Sequence, residues 1–307
     1  MNWIVTRNNR TVDREQIPCL DTALFREELL KACSGDKRVV AFFGLPPEKG
    51  NIKEGWLLYA VMADDERSEL LVTSTRFNGE KRYPSLTKDC ASFHMFEREF
   101  FEISGIEPEG HPWLKPVRYD SRRSDFSQTM DNYPFFEMEG EELHQVAVGP
   151  VHAGIIEPGH FRFMCHGERV HHLEIQLGYQ HRGVEYLMQT GRAHGNPSCH
   201  VRLAESIAGD SVIAHATACA QAVESLGNIE ISMRAAMIRA LGLEMERLAV
   251  HIGDLGAIAN DIAYMTGNAV FGANRTSVIN TLLSICGSRF GRGLVQVGGV
   301  AFDIDNT

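Results

Sequence analysis

Apolar positions in the first 120 residues recur at two different periods. From Thr22 to Cys33 the repeat is helical: Leu24, Phe25, Leu29 and Leu30 fall on one side, and Gly35 ends the run. Val39–Phe43 is an apolar stretch of strand length. Trp56–Met62 and Glu69–Thr75 are two further strands, split by the turn-forming Asp64-Asp65-Glu66-Arg67. A second helix is predicted over Phe93–Ser104, with Gly105 placed to end it. Glu107-Pro108-Glu109-Gly110-His111-Pro112 then reads as a loop. Residues 1–120 are therefore expected to form a small α+β domain.

Residues 121–144 are polar and aperiodic. They are expected to be a linker lying on a partner or on a second domain, anchored by Tyr133-Pro134-Phe135-Phe136. Residues 145–307 follow a different pattern. Phe161–Cys165 and Val170–Gln176 alternate about His166-Gly167-Glu168-Arg169, which predicts a β-hairpin. Helices are expected from Val184–Met188 onward, over the Ala-rich Ser206–Leu226, over Ile231–Tyr264 and over Ser277–Cys286. Gly242, Gly253 and Gly256 mark close helix packing or breaks. Helices apolar on several faces belong to the interior of a bundle. The fold class is α+β: a mixed domain, then a hairpin with a helical bundle.

Composition narrows the function. A net charge of −10 over 307 residues argues against nucleic acid or an anionic membrane as the main partner. No apolar run approaches the roughly 20 residues of a membrane helix, and the N-terminal residues do not read as a signal peptide. A cytoplasmic chain, able to dock on a membrane complex, is expected. The seven cysteines are dispersed, with no Cys-x-x-Cys, which predicts reduced thiols and no zinc or iron–sulfur site owned by this chain alone.

Six of the 13 histidines fall between Gly149 and Glu185: His152, His160, His166, His171, His172 and His181, with Arg182 and Glu185 at the end of the window. Histidine titrates nearest neutral pH, so the cluster suits proton handling or ligation. It also suits surface strand residues. The order of residue types favours the first.

Two regions carry a family resemblance. Pro84-Ser85-Leu86-Thr87, Phe96-Glu97-Arg98-Glu99, Gly105-Ile106 and Glu109-Gly110-His111-Pro112-Trp113-Leu114 resemble the signature of the small C (30 kDa) subunit of NADH:quinone oxidoreductase, complex I. From Gly149 on, Gly-Pro-x-His, Glu-Pro-Gly-His-Phe-Arg and His-Arg-Gly-x-Glu resemble the D (49 kDa) subunit. They are closer still to the large subunit of energy-converting, formate-hydrogenlyase-type (group 4) NiFe hydrogenases, where C-like and D-like parts are fused in one chain. The resemblance implies a complex I C-subunit-like domain at 1–120, a linker at 121–144 and a hydrogenase-large-subunit-like domain at 145–307. It also implies that the second domain is incomplete at its C-terminus, as in a fragment or split gene.

The chain departs from the hydrogenases at the metal. Their first Cys-Gly-x-Cys pair corresponds to Ala208 and Ser211 in Glu205-Ser206-Ile207-Ala208-Gly209-Asp210-Ser211, neither of which supplies a thiolate. No nickel–iron site is expected.

The resemblance assigns roles. His152 matches the histidine at the quinone head-group pocket, and Asp261 the buried aspartate that orients it; such a pair can donate a proton to a reduced quinone oxygen. The pocket's tyrosine has no counterpart near Leu203, and no tyrosine lies between Tyr186 and Tyr264. Asp261 also suits a capping or surface role. Arg182 matches the arginine against the 4Fe-4S cluster of a small iron–sulfur, B-subunit-like partner, where a cation raises the cluster's potential. An ordinary surface ion pair is the other reading. His181 and His160 are expected beside that cluster or the quinone, and Glu185 on a proton relay or as a first-turn carboxylate. Glu246 and Arg247 read as a structural ion pair, Arg275 and Arg289 as interface or loop-fixing residues.

No cofactor is expected on the chain alone. Quinone, the partner's 4Fe-4S cluster, and antiporter-like and H-subunit-like membrane proteins are the implied associates, on the cytoplasmic face of the inner membrane. Three functions compete: a redox-complex subunit shaping a proton-coupled electron-transfer site, a NiFe hydrogenase large subunit, and a non-catalytic scaffold.

Overall fold

The computed structural model describes residues 2–47, 55–140, 142–152, 157–190 and 194–304. Two compact units divide between His181 and Arg182.

The first unit opens with β1 (Ile4–Thr6), β2 (Cys19–Leu20), α1 (Thr22–Ser34), β3 (Arg38–Leu45), β4 (Trp56–Asp64) and β5 (Glu69–Phe77). The sheet order is β1-β5-β4-β3, antiparallel, with β2 parallel to the free end of β5. Asp21 caps α1 by accepting the amides of Ala23 and Leu24. The short β6 (Arg82–Pro84) and β7 (Glu107–Glu109) pair in parallel around α2 (His94–Ser104). Gly105, at φ 74°, ends α2 in the left-handed conformation that the sequence reserves for it. Phe25 and Leu29 of α1 and Phe93 and Phe100 beside or within α2 pack with Phe42, Leu58, Met62 and Phe77 of the sheet. Burying such side chains stabilises by about 1.5–3 kcal/mol each, and this core fixes the unit.

A second sheet follows in the same unit: β8 (Leu143–Val148), β9 (His160–His166) and β10 (Arg169–Gln176), in order β10-β9-β8. The predicted hairpin is present and gains a third strand. Its polarity is inverted. Glu174 and Gln176 point inward and are buried, whereas Val146, Val148, Leu173 and Ile175 share the opposite face and remain exposed. The inner face is roofed by 113–136. Lys115 Nζ donates to Glu174 Oε1 at 2.7 Å, the Phe136 amide to Glu174 Oε2 at 2.7 Å, and the rings of Trp113 and Phe136 lie on His172.

This roof moves the boundary. Residues 121–144 were expected to separate two domains, with the hairpin opening the second. Phe135 and Phe136 instead tie the hairpin to the first unit, and the division falls at 181/182.

The second unit holds α3 (Val184–Gln189), α4 (Pro197–Ala204), α5 (Val212–Gly227), α6 (Met233–Asp261), α7 (Met265–Cys286), and the two-residue strands β11 (Val295–Gln296) and β12 (Gly299–Val300). Its core joins Val201, Ile213, Ala216, Ala220, Ile238, Leu282 and Leu294. Helices α6 and α7 run antiparallel. Gly253 lies against Arg275, Gly256 against Phe271 and Gly267 against Ala259, so the glycines permit close packing and α6 is unbroken. That packing also starts α7 at Met265 rather than Ser277, overriding the weak helix propensity of Gly267, Asn268 and Gly272. Residues Ser206–Ser211 fall outside the helix expected there; α5 begins at Val212. Arg239 and Glu224, 2% and 6% exposed, form a buried pair whose spare bonds hold the β11–β12 turn: Arg239 donates to the Gly299 and Gln296 carbonyls, and Glu224 accepts the Gly298 amide.

Candidate functional site

The signature of the first unit resolves into anchors. Glu97 is fully buried and accepts from the Ser85 hydroxyl (2.7 Å), the Leu86 amide (2.8 Å), the Thr87 amide (3.0 Å) and the Thr87 hydroxyl (2.6 Å). Arg98 donates to the Lys115 and Pro116 carbonyls at 2.8 and 2.9 Å, and Glu102 accepts the amides of Val117, Arg118 and Asp120. Helix α2 therefore holds both flanking loops, and Phe96-Glu97-Arg98-Glu99 meets Pro84-Ser85-Leu86-Thr87 and the segment after Trp113 there. Its acids and bases serve the fold.

The six window histidines do not share a centre. Exposed His166 bonds Glu142 at 2.6 Å, with the His171 ring 6.3 Å away. His160 and His172 stand on the roofed face, His160 against Phe135, and the buried Nε2 of each has no hydrogen-bond partner among the described residues. His181 Nε2 lies 3.9 Å from Asp120 Oδ2.

His152 is the best-defined of the predicted site residues. Its Nε2 is 2.8 Å from the Gly159 carbonyl, while the Gly159 amide donates to the Pro150 carbonyl at 3.1 Å. The Gly-Pro-x-His and Glu-Pro-Gly-His motifs thus interlock. A carbonyl only accepts, so Nε2 carries a hydrogen and Nδ1 is the atom left to exchange a proton. Phe161 packs edge-on against the ring at 5.4 Å. Gly149 is required here: at φ 90°, a Cβ would stand 2.1 Å from the Gly159 oxygen and 2.6 Å from His152 Nε2. Asp261 is exposed and is the last residue of α6. His152 and Asp261 belong to different units, and their pairing rests on the resemblance.

In the second unit Gly183, at φ 65°, precedes α3, and Glu185 is in its first turn. Exposed Arg182 donates to the Ile207 carbonyl at 2.9 Å. This fastens the arginine to the stretch carrying Ala208 and Ser211. The stretch is closed by backbone and carboxylate bonds: the Ser211 amide reaches the Ala208 carbonyl, and Glu246 accepts the Ile213 and Ala214 amides at 2.6 and 3.1 Å. Glu205 accepts the Gly293 amide at 2.7 Å. Glu246 is therefore not the partner of Arg247, which bonds Glu244 at the surface. Burial holds the Glu246 carboxyl above the usual range, against the two amides that lower it, and Asp210 adds repulsion. Arg275, Arg289, Asp210 and Glu246 line a void of about 20 Å³. At the two positions that the resemblance sets against the hydrogenase cysteine pair, Ala208 has no ligating atom and Ser211 offers a hydroxyl in place of a soft thiolate.

The anchoring carboxylates Glu102, Glu174, Glu205 and Glu246 were not legible as such. Apart from Lys115 on Glu174, their partners are backbone amides up to 88 residues away, which leave no side-chain pattern.

Comparison with known proteins places these features. Residues 22–129 match the family of the respiratory-chain NADH dehydrogenase 30 Kd subunit. Hydrogenase-4 component G of Escherichia coli (strain K12) is 29% identical over 264 residues, covering 80% of this chain and 47% of that protein. Formate hydrogenlyase subunit 5 of the same organism is 29% identical over 281 residues, 86% of this chain and 46% of that protein. The C/D subunit of NADH-quinone oxidoreductase from Acinetobacter baylyi is 25% identical over 336 positions, covering 97% of this chain and 52% of that protein. The chain spans about half the length of these curated relatives. Residues 22–129 thus form a domain of the respiratory-chain NADH dehydrogenase 30 Kd subunit family, and the chain as a whole is similar to fused C/D-type subunits and to their hydrogenase-associated counterparts.

Proposed function

We propose that the chain is a subunit of a membrane-associated oxidoreductase of complex I or energy-converting hydrogenase type, where it shapes a proton-coupled electron-transfer site beside the 4Fe-4S cluster of a small partner subunit. The observation that carries the reading is the Arg182–Ile207 bond. It fastens the residue assigned to the partner cluster onto the loop that holds metal in the related hydrogenases. In this reading His152 supplies a proton from Nδ1, Asp261 orients it, and Glu185 relays. The resemblance assigns Arg182, His181 and His160 to the surroundings of the cluster or a quinone. A cation beside a cluster stabilises its reduced, more negative form.

Two further features support membership of a larger assembly. Met233, Met237, Leu241, Leu248 and Leu255 form one exposed apolar stripe along α6, extended by Ile262 just past its end. The relatives are named as components of hydrogenase, formate hydrogenlyase and NADH-quinone oxidoreductase. No helix among the described residues is long and apolar enough to cross a membrane. Attachment is then peripheral, on the cytoplasmic face of the inner membrane, through antiporter-like and H-subunit-like proteins.

The test is a redox titration of the assembled complex, followed by electron paramagnetic resonance. Arg182→Ala should shift the partner cluster's midpoint potential downward while the complex still assembles. An unchanged potential removes the role. Elemental analysis of the same sample separates the hydrogenase reading, which requires stoichiometric nickel. Quinone-dependent turnover separates a redox subunit from a scaffold.

A further inference from the structure

Two thiols outside this site meet in the first unit. Cys33 lies in the last turn of α1, and Cys90 directly precedes the turn leading into α2. Both are free and half-buried, and their Sγ atoms lie 3.0 Å apart, within hydrogen-bonding reach. They share the wall of an open groove of about 670 Å³ with Arg26, Leu30, Ser34, Lys88 and Asp89. The two chain segments are already clamped. Arg26 donates to the Ser85 carbonyl at 3.3 Å and pairs with Asp89, and the Cys90 amide donates to the Leu86 carbonyl at 2.8 Å.

We propose that Cys33 and Cys90 are a reversible two-electron thiol–disulfide site, oxidised by a low-molecular-weight disulfide that enters this groove. The sulfurs need to close by about 1 Å to reach the S–S bond length of about 2.05 Å. The segments that carry them are held in place by Arg26, so little else must move. In the first step the Cys90 thiolate attacks one sulfur of the small disulfide. That S–S bond breaks, a mixed disulfide forms on Cys90 and one small thiolate leaves. Cys33 then loses its proton and attacks the Cys90 sulfur, expelling the second small thiolate. The protein gives up two electrons and two protons, and one small disulfide becomes two small thiols. Burial, with the neighbouring Cys90 sulfur adding to it, pushes the Cys33 thiol up to about 12, so Cys33 attacks second, when the mixed disulfide already lies beside it and the Cys90 charge that helped to raise it is gone. The exposed Lys88 cation favours an anionic reagent in the groove.

The probe is glutathione. The full chain is equilibrated at neutral pH across ratios of oxidised to reduced glutathione, alkylated, and mapped without reduction. A Cys33–Cys90 cross-linked peptide, two hydrogens lighter and reversed by dithiothreitol, is expected. Exposed Cys19 should carry only a mixed disulfide, which reports that the reagent is active. The cross-link closes a long loop, so the oxidised chain should melt higher by about 5 °C or more. Cys33→Ser should trap glutathione on Cys90, whereas Cys90→Ser should leave Cys33 a thiol. Alkylation of both cysteines in the unaltered chain at the most oxidising ratio, with Cys19 modified, would overturn the proposal. So would separate glutathione adducts on Cys33 and Cys90.

Discussion

Replacing Glu224 by alanine should unfold the second unit well below its normal temperature. The carboxylate spans two Arg239 nitrogens, at 3.0 and 2.6 Å, and the Gly298 amide at 2.8 Å. Arg239 is 2% exposed, so removing Glu224 strands a guanidinium where water cannot reach it. Breaking a buried ion pair from one side costs about 3–5 kcal/mol. For a unit the size of Arg182–Thr307, 1 kcal/mol corresponds to roughly 4 °C, giving a fall of about 12–20 °C. Burial alone would raise the Glu224 pKa, but Arg239 and the Gly298 amide outweigh it, and the net shift is downward. A carboxyl with a depressed folded pKa stabilises above its unfolded pKa and loses that contribution as pH falls through the folded value. The penalty of the substitution should therefore be full at neutral pH and shrink in acid. Calorimetry across pH measures both. A fall of less than about 4 °C at neutral pH, or a penalty that grows in acid, would refute the reasoning.

Glu246→Gln should behave in the opposite sense. Its raised folded pKa favours the fold at low pH, and glutamine keeps only one of the two acceptors for the Ile213 and Ala214 amides, so the variant should melt furthest below the unaltered chain in acid and the gap should narrow as pH rises past the ordinary carboxylate range; a gap that widens with pH would contradict this. Glu97→Ala takes the acceptor from two amides and two hydroxyls around a fully buried position, of which only the Thr87 amide keeps another, and urea unfolding should report a loss of about 3–5 kcal/mol. Gly149→Ala should cost about 1–3 kcal/mol and displace His152, read as a changed imidazole resonance in NMR; an unshifted resonance would mean that the close approach to Gly159 is not required.

Local pattern carried most elements of the first unit. Leu24, Phe25, Leu29 and Leu30 marked α1, Gly105 marked the end of α2, and the alternation about Gly167 marked β9 and β10. What remained hidden depends on distant partners. The β8 strand reads Leu-His-Gln-Val-Ala-Val without a clean alternation, and only pairing with Phe161–His166 makes it a strand. The domain boundary was misplaced because a polar, aperiodic stretch looks like a linker whether or not its aromatic residues find a surface. Phe135 and Phe136 do find one. Helix α7 was shortened because its glycines and asparagines lower propensity, while the packing they allow against α6 cannot be read locally. At the site, the motifs singled out His152 and Arg182, but not the atoms they bind. Both partners are backbone carbonyls, Gly159 and Ile207, and backbone groups are invisible to residue-type spacing.

That same feature explains how the 206–211 stretch keeps a defined shape without thiolates. A metal bound to two cysteines would cross-link such a loop. Here the linkage is made by the chain: Arg182 on the Ile207 carbonyl, the Ala208–Ser211 turn, Glu205 on the Gly293 amide and Glu246 on the amides opening α5. Each bond contributes on the order of 1 kcal/mol net, and those to charged groups more, so together they hold a short loop. Ala208 and Ser211 add no side-chain link to this set. The shape of the loop and the chemistry of a metal are therefore separable in this scaffold. Placing cysteine at 208 and 211 should leave the melting temperature of the second unit nearly unchanged, because neither side chain carries the loop. The bonds of Arg182 to Ile207 and of His152 to Gly159, on which the proposed redox role rests, stand independently of any thiolate.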